Sequence, residues 1–287
     1  MRAGVLTDIH VSLDPERRAS WHNEYDFAGT PARLARASEL FAAERVELVL
    51  ALGDLAHDGD APSLRQAHAP LTGGPPLHVV GGNHDGARPT AALAALELEG
   101  MRLPGWRAHR LTSDARLAGV RVERRAEGRW AAARLPALAT WGDEPVLLAT
   151  HFPVASRVSP VHAHGLPYAG DLVNRAALAG PLLDRSGPTI VLCGHLHVRE
   201  SAASGSLLQL CFAASIEPPF EATILELEQD GDALEVTRSA HELGGATAMR
   251  RDPRLAPAEE GWSFSPRAGW RRSRPGSRAP RAPRPAP

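Results

Sequence analysis

Apolar and β-branched residues gather into short continuous runs that stop abruptly at polar or glycine-rich positions. The runs are "GVLTDIH" (4–10), "VELVLALGD" (46–54), "LHVVGGNHD" (77–85), "EPVLLATH" (144–151) and "TIVLCGH" (189–195). Continuous rather than alternating runs suit strands covered on both faces, the pattern of an α/β sheet. Helical patterns separate several of them. "TPARLARASELFAAERV" (30–46) opens with Thr30 as N-cap and Pro31 at the first helical position, and Leu34, Ala37 and Phe41 form its apolar stripe. "RPTAALAALELEG" (88–100) predicts a second helix closed by Gly100, and "GDLVNRAALAGPLLDRSG" (170–187) a third that Gly180 and Pro181 break or kink.

The middle and end are more strand-like. "AGVRVERR" (118–125) and "RWAAARLP" (129–136) are predicted to pair as antiparallel strands. "SLLQLCFAAS" (206–215), "ATILELEQ" (222–229) and "ALEVTRSAHE" (233–242) read as a meander with "DGD" as one turn. From residue 248 proline and arginine dominate without a periodic apolar face, so residues 248–287 are expected as a disordered or partly extended tail behind one domain, 1–247.

A chain of 287 residues can bury a sizeable core. No run approaches the roughly 20 apolar residues of a membrane span, and Met1 leads straight into the first strand pattern, so a cytoplasmic protein is expected. All 32 basic residues are arginine, which excludes a phosphate-loop lysine and any Schiff-base lysine. Cys193 and Cys211 sit in strand-like runs without metal-ligand spacing and read as small core residues. The net charge of -1 hides an asymmetry: residues 250–287 hold ten arginines against three acids, behind an acidic body.

The chemistry stands where the runs end. These ends supply Asp8 and His10, Asp54, then Asn83, His84 and Asp85, then His151, and last His195 and His197. Taken singly each has a bland reading, since a histidine or a "GD" after a strand is ordinary turn chemistry. Jointly they differ: of 13 histidines, five fall at the ends of the most hydrophobic runs, each beside glycine, aspartate or asparagine. In open α/β sheets ligands bind outside the carboxyl ends of the strands, so residues far apart in sequence can converge there. Imidazole and carboxylate suit manganese, iron or zinc, and the absence of thiolate argues against a structural zinc cluster. Seven candidate ligands exceed one tetrahedral ion, so two divalent ions, manganese or iron first and zinc also suited, are expected to share the site.

The ordered set Asp-x-His, Gly-Asp, Gly-Asn-His-Asp, a later His, then Gly-His-x-His resembles the calcineurin-like metallophosphoesterases over residues 4 to about 200. The resemblance implies a four-layer αββα sandwich of two mixed β-sheets flanked by helices. It implies one metal held by Asp8, His10, Asp54 and His197 and a second by Asp54, Asn83, His151 and His195, with Asp54 bridging. His84 would then face the phosphate and Asp85 would orient its imidazole. A regular strand through Val198 would put His195 and His197 on one face; the resemblance instead implies a turn opened by Gly194 that sends them to different ions. Two cations about 3.5 to 4 Å apart can activate a shared water as hydroxide and neutralise a phosphate ester, hydrolysing a phosphodiester or phosphomonoester.

The motif style is most similar to the bacterial group that includes cyclic-nucleotide phosphodiesterases, with Phe152 where some of that group carry a second histidine. The amidohydrolase and metallo-β-lactamase signatures begin with or cluster their histidines, whereas here His-x-His comes last. Substrate contacts are expected from "SWHNEYDF" (20–27), through His22, Asn23 or Tyr25, and from a rim at 159–175 with His164. His57 and Asp58 read as a polar turn. The expected partner is a small phosphate ester. The competing reading is a nuclease or nucleic-acid binder, using the basic tail for phosphates and Trp262, Phe264 and Trp270 for bases; the acidic body disfavours it. The oligomeric state, homodimer included, stays open.

Overall fold

The computed structural model describes residues 1–17, 24–85, 142–166, 174–231, 233–245, 249 and 251–274, together with the backbone of three strands at 107–111, 116–120 and 123–127. The helix pattern at 88–100, the strand pattern at 129–136, His22, Asn23 and part of the 159–175 rim lie outside the described residues.

Two mixed sheets face each other. In the first, β1 (Arg2–Leu6), β2 (Leu48–Ala51) and β3 (Leu77–Val79) run parallel, and β1 also pairs antiparallel with β11 (Glu221–Asp230). Beyond β11 the sheet continues antiparallel through β12 (Ala233–Glu242), β13 (Glu259–Ser265) and β14 (Gly269–Ser273). In the second, β4 (Arg107–Leu111), β7 (Val146–Thr150), β8 (Thr189–Cys193) and β10 (Leu207–Cys211) are parallel, with β9 (Glu200–Ser204) antiparallel at the edge.

The continuous apolar runs are explained by cover on both faces. Val5, Leu50, Leu147, Ile190, Leu192, Leu210 and Leu225 meet between the sheets. Leu6, Val49 and Ala51, on the opposite face of their strands, pack against Leu34, Ala37 and Phe41 of α1 (Thr30–Ala43) and Leu64 and Ala67 of α2 (Ala61–His68). Val146, Leu148 and Val191 pack against Leu178 and Leu182 of α4 (Arg175–Leu183) on the far side. This is the expected αββα layering; a further short helix, α3 (Val158–Ala163), follows β7. The helix at 175–183 runs through Pro181 rather than breaking there.

Three expectations change. The "SLLQLCFAAS" strand is not in a meander with its successors: β10 pairs in parallel with β8 in the second sheet, because Leu208 and Leu210 are needed between the sheets opposite β11. "AGVRVERR" is not one strand but spans two: β5 (Arg116–Val120) pairs antiparallel with β6 (Glu123–Glu127). The third change is the largest. Residues 259–273, expected in a disordered tail, form β13 and β14. Trp262, Phe264 and Trp270 are at most 6% exposed and belong to the core between the sheets, which removes them as base-stacking groups. Glu260 pairs with Arg238, itself fully buried and bonded to the carbonyls of Glu200 (3.1 Å) and Cys211 (3.0 Å). Trp270 Nε1–H donates to Ser206 O across to the second sheet (2.8 Å). Proline and arginine dominate the composition of the whole region from 248 on, but within 259–273 a few inward-facing aromatic and acidic side chains decide the structure.

Candidate metal centre

Five parallel strands, three from the first sheet and two from the second, end at one edge of the sandwich, and the predicted site residues follow them directly. Beyond their strand ends the first two loops stay zipped together: Asp8 N–H donates to Gly53 O (3.1 Å), His10 N–H to Asp54 O (2.8 Å) and Val11 N–H to Leu55 O (2.8 Å). Asp8, His10, Asp54, His195 and His197 all have φ between 49° and 66°. This left-handed region costs a non-glycine residue about 1–2 kcal/mol, so the main chain aims these five side chains against its own preference.

The donors converge. Asp8 Oδ1 lies 3.1 Å from His197 Nε2 and 4.0 Å from His151 Nε2. Asp8 Oδ2 accepts from Thr7 Oγ1–H (2.7 Å) and His195 N–H (3.0 Å). Asp54 Oδ2 stands 3.6 Å from His10 Nε2 and 3.4 Å from His151 Nε2, while its Oδ1 accepts from His84 N–H (2.7 Å). Asn83 Oδ1 is 3.1 Å from His151 Nε2. His195 approaches from the other side, its ring 5.1 Å from that of His151 and 4.0 Å from buried Phe152. Among the described residues three sets of atoms lie close enough to share an ion: Asp8 with His10 and His197, Asp8 with Asp54 and His151, and the three imidazoles of His10, His57 and His84.

Ring orientation is set from behind. A carbonyl can only accept, so His151 Nδ1 donates to Leu52 O (2.7 Å) and His84 Nδ1 to His57 O (2.7 Å). Nε2 is left facing the cluster in His151. Asp85, expected to orient His84, does something else: its oxygens accept from Ala56 N–H (3.0 Å) and Gly82 N–H (2.9 Å) and so hold the two loops together. The His57 carbonyl, 2.7 Å from Nδ1, holds the His84 ring.

The electrostatics favour cations. Burial and the nearby His84 keep His10 far below the usual imidazole pKa, and burial and His151 push His195 to about 3, so both offer a lone pair. His10 Nε2 and His195 Nε2 are buried with no hydrogen-bond partner. Such an orphan costs about 1–3 kcal/mol unless something satisfies it. Burial opposes charge on His151, yet Asp54 and then Asp8 outweigh it and raise the pKa to about 9. His197 is raised by Asp8 and Glu217 against the same opposition. Asp54 is held far below the carboxylate range despite burial, chiefly by His151 and His84. Burial and the Asp54 charge lift Asp85 to about 7. Orphaned imidazoles aimed at ionised carboxylates fit divalent ions.

Three residues not expected to matter stand beside the donors. His57 is buried, with Nδ1 3.3 Å from His10 Nδ1 and its ring 4.7 Å from that of His84. Phe27 packs on it at 4.9 Å. Glu217 bonds His197 Nδ1. Tyr25, one of the expected substrate contacts, lies over His10 at 5.0 Å and His197 at 5.7 Å. His164 is exposed and bonds Pro160 O in its own helix.

A two-sheet sandwich carrying imidazoles and carboxylates on its converging strand ends defines a metal-dependent phosphoester hydrolase. The calcineurin-like phosphoesterase family model matches residues 1–199, and the chain belongs to that family. It is similar to a crystal structure of a dimetal phosphatase from Danio rerio, with 18% identity, 85% of this chain and 96% of that one covered, and a TM-score of 0.65. It is also similar to a purple acid phosphatase from yellow lupin seeds, with 12% identity, 88% and 53% covered, and a TM-score of 0.50. A comparison with curated sequences found no match.

Proposed function

We propose that the chain hydrolyses small phosphodiesters in a dinuclear centre, with one ion held by Asp8, His10, Asp54 and His197 and the other by Asp54, Asn83, His151 and His195. The observation that carries this reading is Asp54 Oδ2, standing between His10 Nε2 (3.6 Å) and His151 Nε2 (3.4 Å), histidines assigned to different ions. Manganese, iron or zinc would lower the pKa of a water shared between two ions and neutralise charge on the phosphate. The chain's own residues do the rest. Asp85 fixes Ala56 and Gly82 and, through them, the loops that carry Asp54 and Asn83. His84, with Nδ1–H anchored on His57 O, keeps Nε2 to hold or deliver a proton to the leaving oxygen. Phe152 presents an apolar wall beside His195 where a second histidine could stand.

Diesters come ahead of monoesters on the similarity of the motifs to bacterial cyclic-nucleotide phosphodiesterases. The cluster also suits a singly charged ester: among the described residues its charged members are carboxylates and imidazoles, with no guanidinium contacting the donors. With core positions for Trp262, Phe264 and Trp270, nucleic-acid binding by the C-terminal residues loses its stacking groups. The test is turnover of bis(p-nitrophenyl) phosphate against p-nitrophenyl phosphate with added manganese, in wild type and His84→Ala. Diester turnover should exceed monoester turnover, and His84→Ala should keep its metal while losing about 10²–10⁴ in rate. Equal turnover in the variant removes His84 from the chemistry, and inactivity on both esters sinks the proposal.

A further inference from the structure

Three ligand histidines have the nitrogen that faces away from the cluster held by a neighbour, and the three neighbours differ in kind. For His151 it is the Leu52 carbonyl, for His10 the His57 ring, and for His197 a carboxylate, Glu217 Oε1, at 2.5 Å. Glu217 lies beyond the residues matched by the family model. Its other oxygen, Oε2, accepts from Glu24 N–H (3.3 Å). Glu24 leads into Tyr25, whose ring is stacked on that of His197 with 20° between the planes and also lies against His10. The adjoining Ile216 repeats the connection through the main chain, donating to Asp8 O (3.1 Å) and accepting from Asp26 N–H (2.9 Å). One short loop therefore touches His197 and Asp8 on one side and the Glu24–Asp26 main chain on the other.

We propose that Glu217 is a positioning residue that keeps the His197 proton on Nδ1, so that Nε2 is offered to the ion shared with Asp8 and His10. Its second oxygen holds the Glu24–Tyr25 stretch against the ligands of that same ion. The proposal rests on the dinuclear reading above. Because the contact involves one ion's ligands only, its effect is selective: metal uptake at the His151, Asn83 and His195 position does not depend on it. A carboxylate behind a ligating imidazole supports metal affinity by about 10–100-fold, whereas a merely structural ion pair would affect folding and both ions alike.

The test uses the full chain, stripped with chelator and titrated calorimetrically with zinc, as wild type, Glu217→Ala and Glu217→Gln. Wild type should take up two ions in separable steps. In Glu217→Ala one step should weaken about 10–100-fold while the other keeps its wild-type affinity. Glu217→Gln should fall between, since its amide oxygen can still accept from His197 but its NH₂ then opposes Glu24 N–H. In the zinc-loaded wild type, ¹⁵N-histidine spectra should show one imidazole with a strongly hydrogen-bonded Nδ1–H that Glu217→Ala lacks. Two unchanged steps in Glu217→Ala overturn the proposal. So do two steps weakened equally together with a lowered melting temperature of the stripped protein. A wild type that binds no second ion overturns the dinuclear reading, and this assignment with it.

Discussion

A β-carbon added to Gly194 would overlap Thr7 Oγ1 and come within 2.6 Å of Asp8 Oδ2, two atoms already bonded to each other. Gly82 is as tightly confined, against the main chain and carboxylate of Asp54. These glycines let the loops close on the donors, and filling one must displace a ligand. Gly194→Ala is expected to stay folded and lose about 10–100-fold in metal affinity, measured as metal retained after dialysis; full retention would show that the turn yields without moving Asp8. At this scale much was legible in the sequence: the described strand-end side chains from Asp8 to His197 do come together. Their signal was local, an apolar run broken by a ligand-type residue next to glycine or another polar group. His57 and Glu217 carried no such signal. His57 sits in a stretch that reads equally well as a polar turn, and Glu217 follows no strand motif; both act through rings brought to them by the fold.

Among the elements, β13 and β14 contribute most beyond what their composition suggests. Their removal would expose β12 as an edge, take Trp262, Phe264 and Trp270 out of the core and leave Arg238 buried without Glu260. Losing one such aromatic costs about 3–5 kcal/mol, and breaking a buried pair costs about as much, against a typical total of about 5–15 kcal/mol. A chain ending at residue 257 should therefore show no cooperative thermal transition by circular dichroism; a transition near that of the full chain would disprove the core role. The strands of the first motifs were legible because burial on both faces leaves a long apolar run. β13 was not, because burial on one face leaves only alternating residues, Glu260, Trp262 and Phe264, in a short run within a C-terminal region whose overall composition is arginine- and proline-rich.

For the whole molecule, the two sheets matter together, since neither alone carries a full set of donors: the first supplies Asp8, His10, Asp54 and Asn83, the second His151, His195 and His197. In the ion-free protein, protons on His151 and His197 balance the carboxylates. Below the ordinary imidazole pKa of about 6.5, the charged His151–Asp54 pair stabilises the folded chain in full, and this contribution is lost as pH rises through about 9. Metal uptake has the opposite sign, because ions displace those protons. Affinity for manganese should thus rise by about tenfold or more per pH unit between pH of about 6 and 8, with proton release seen as a dependence of the calorimetric heat on buffer ionisation. An affinity that does not change with pH would rule out the protonated pairing. The left-handed backbone at Asp8, His10, Asp54, His195 and His197 bears on the same equilibrium. Those conformations are held by the packed sandwich, so the loss of chain entropy needed to aim the donors belongs to folding, and an arriving ion meets a receptor that is already organised.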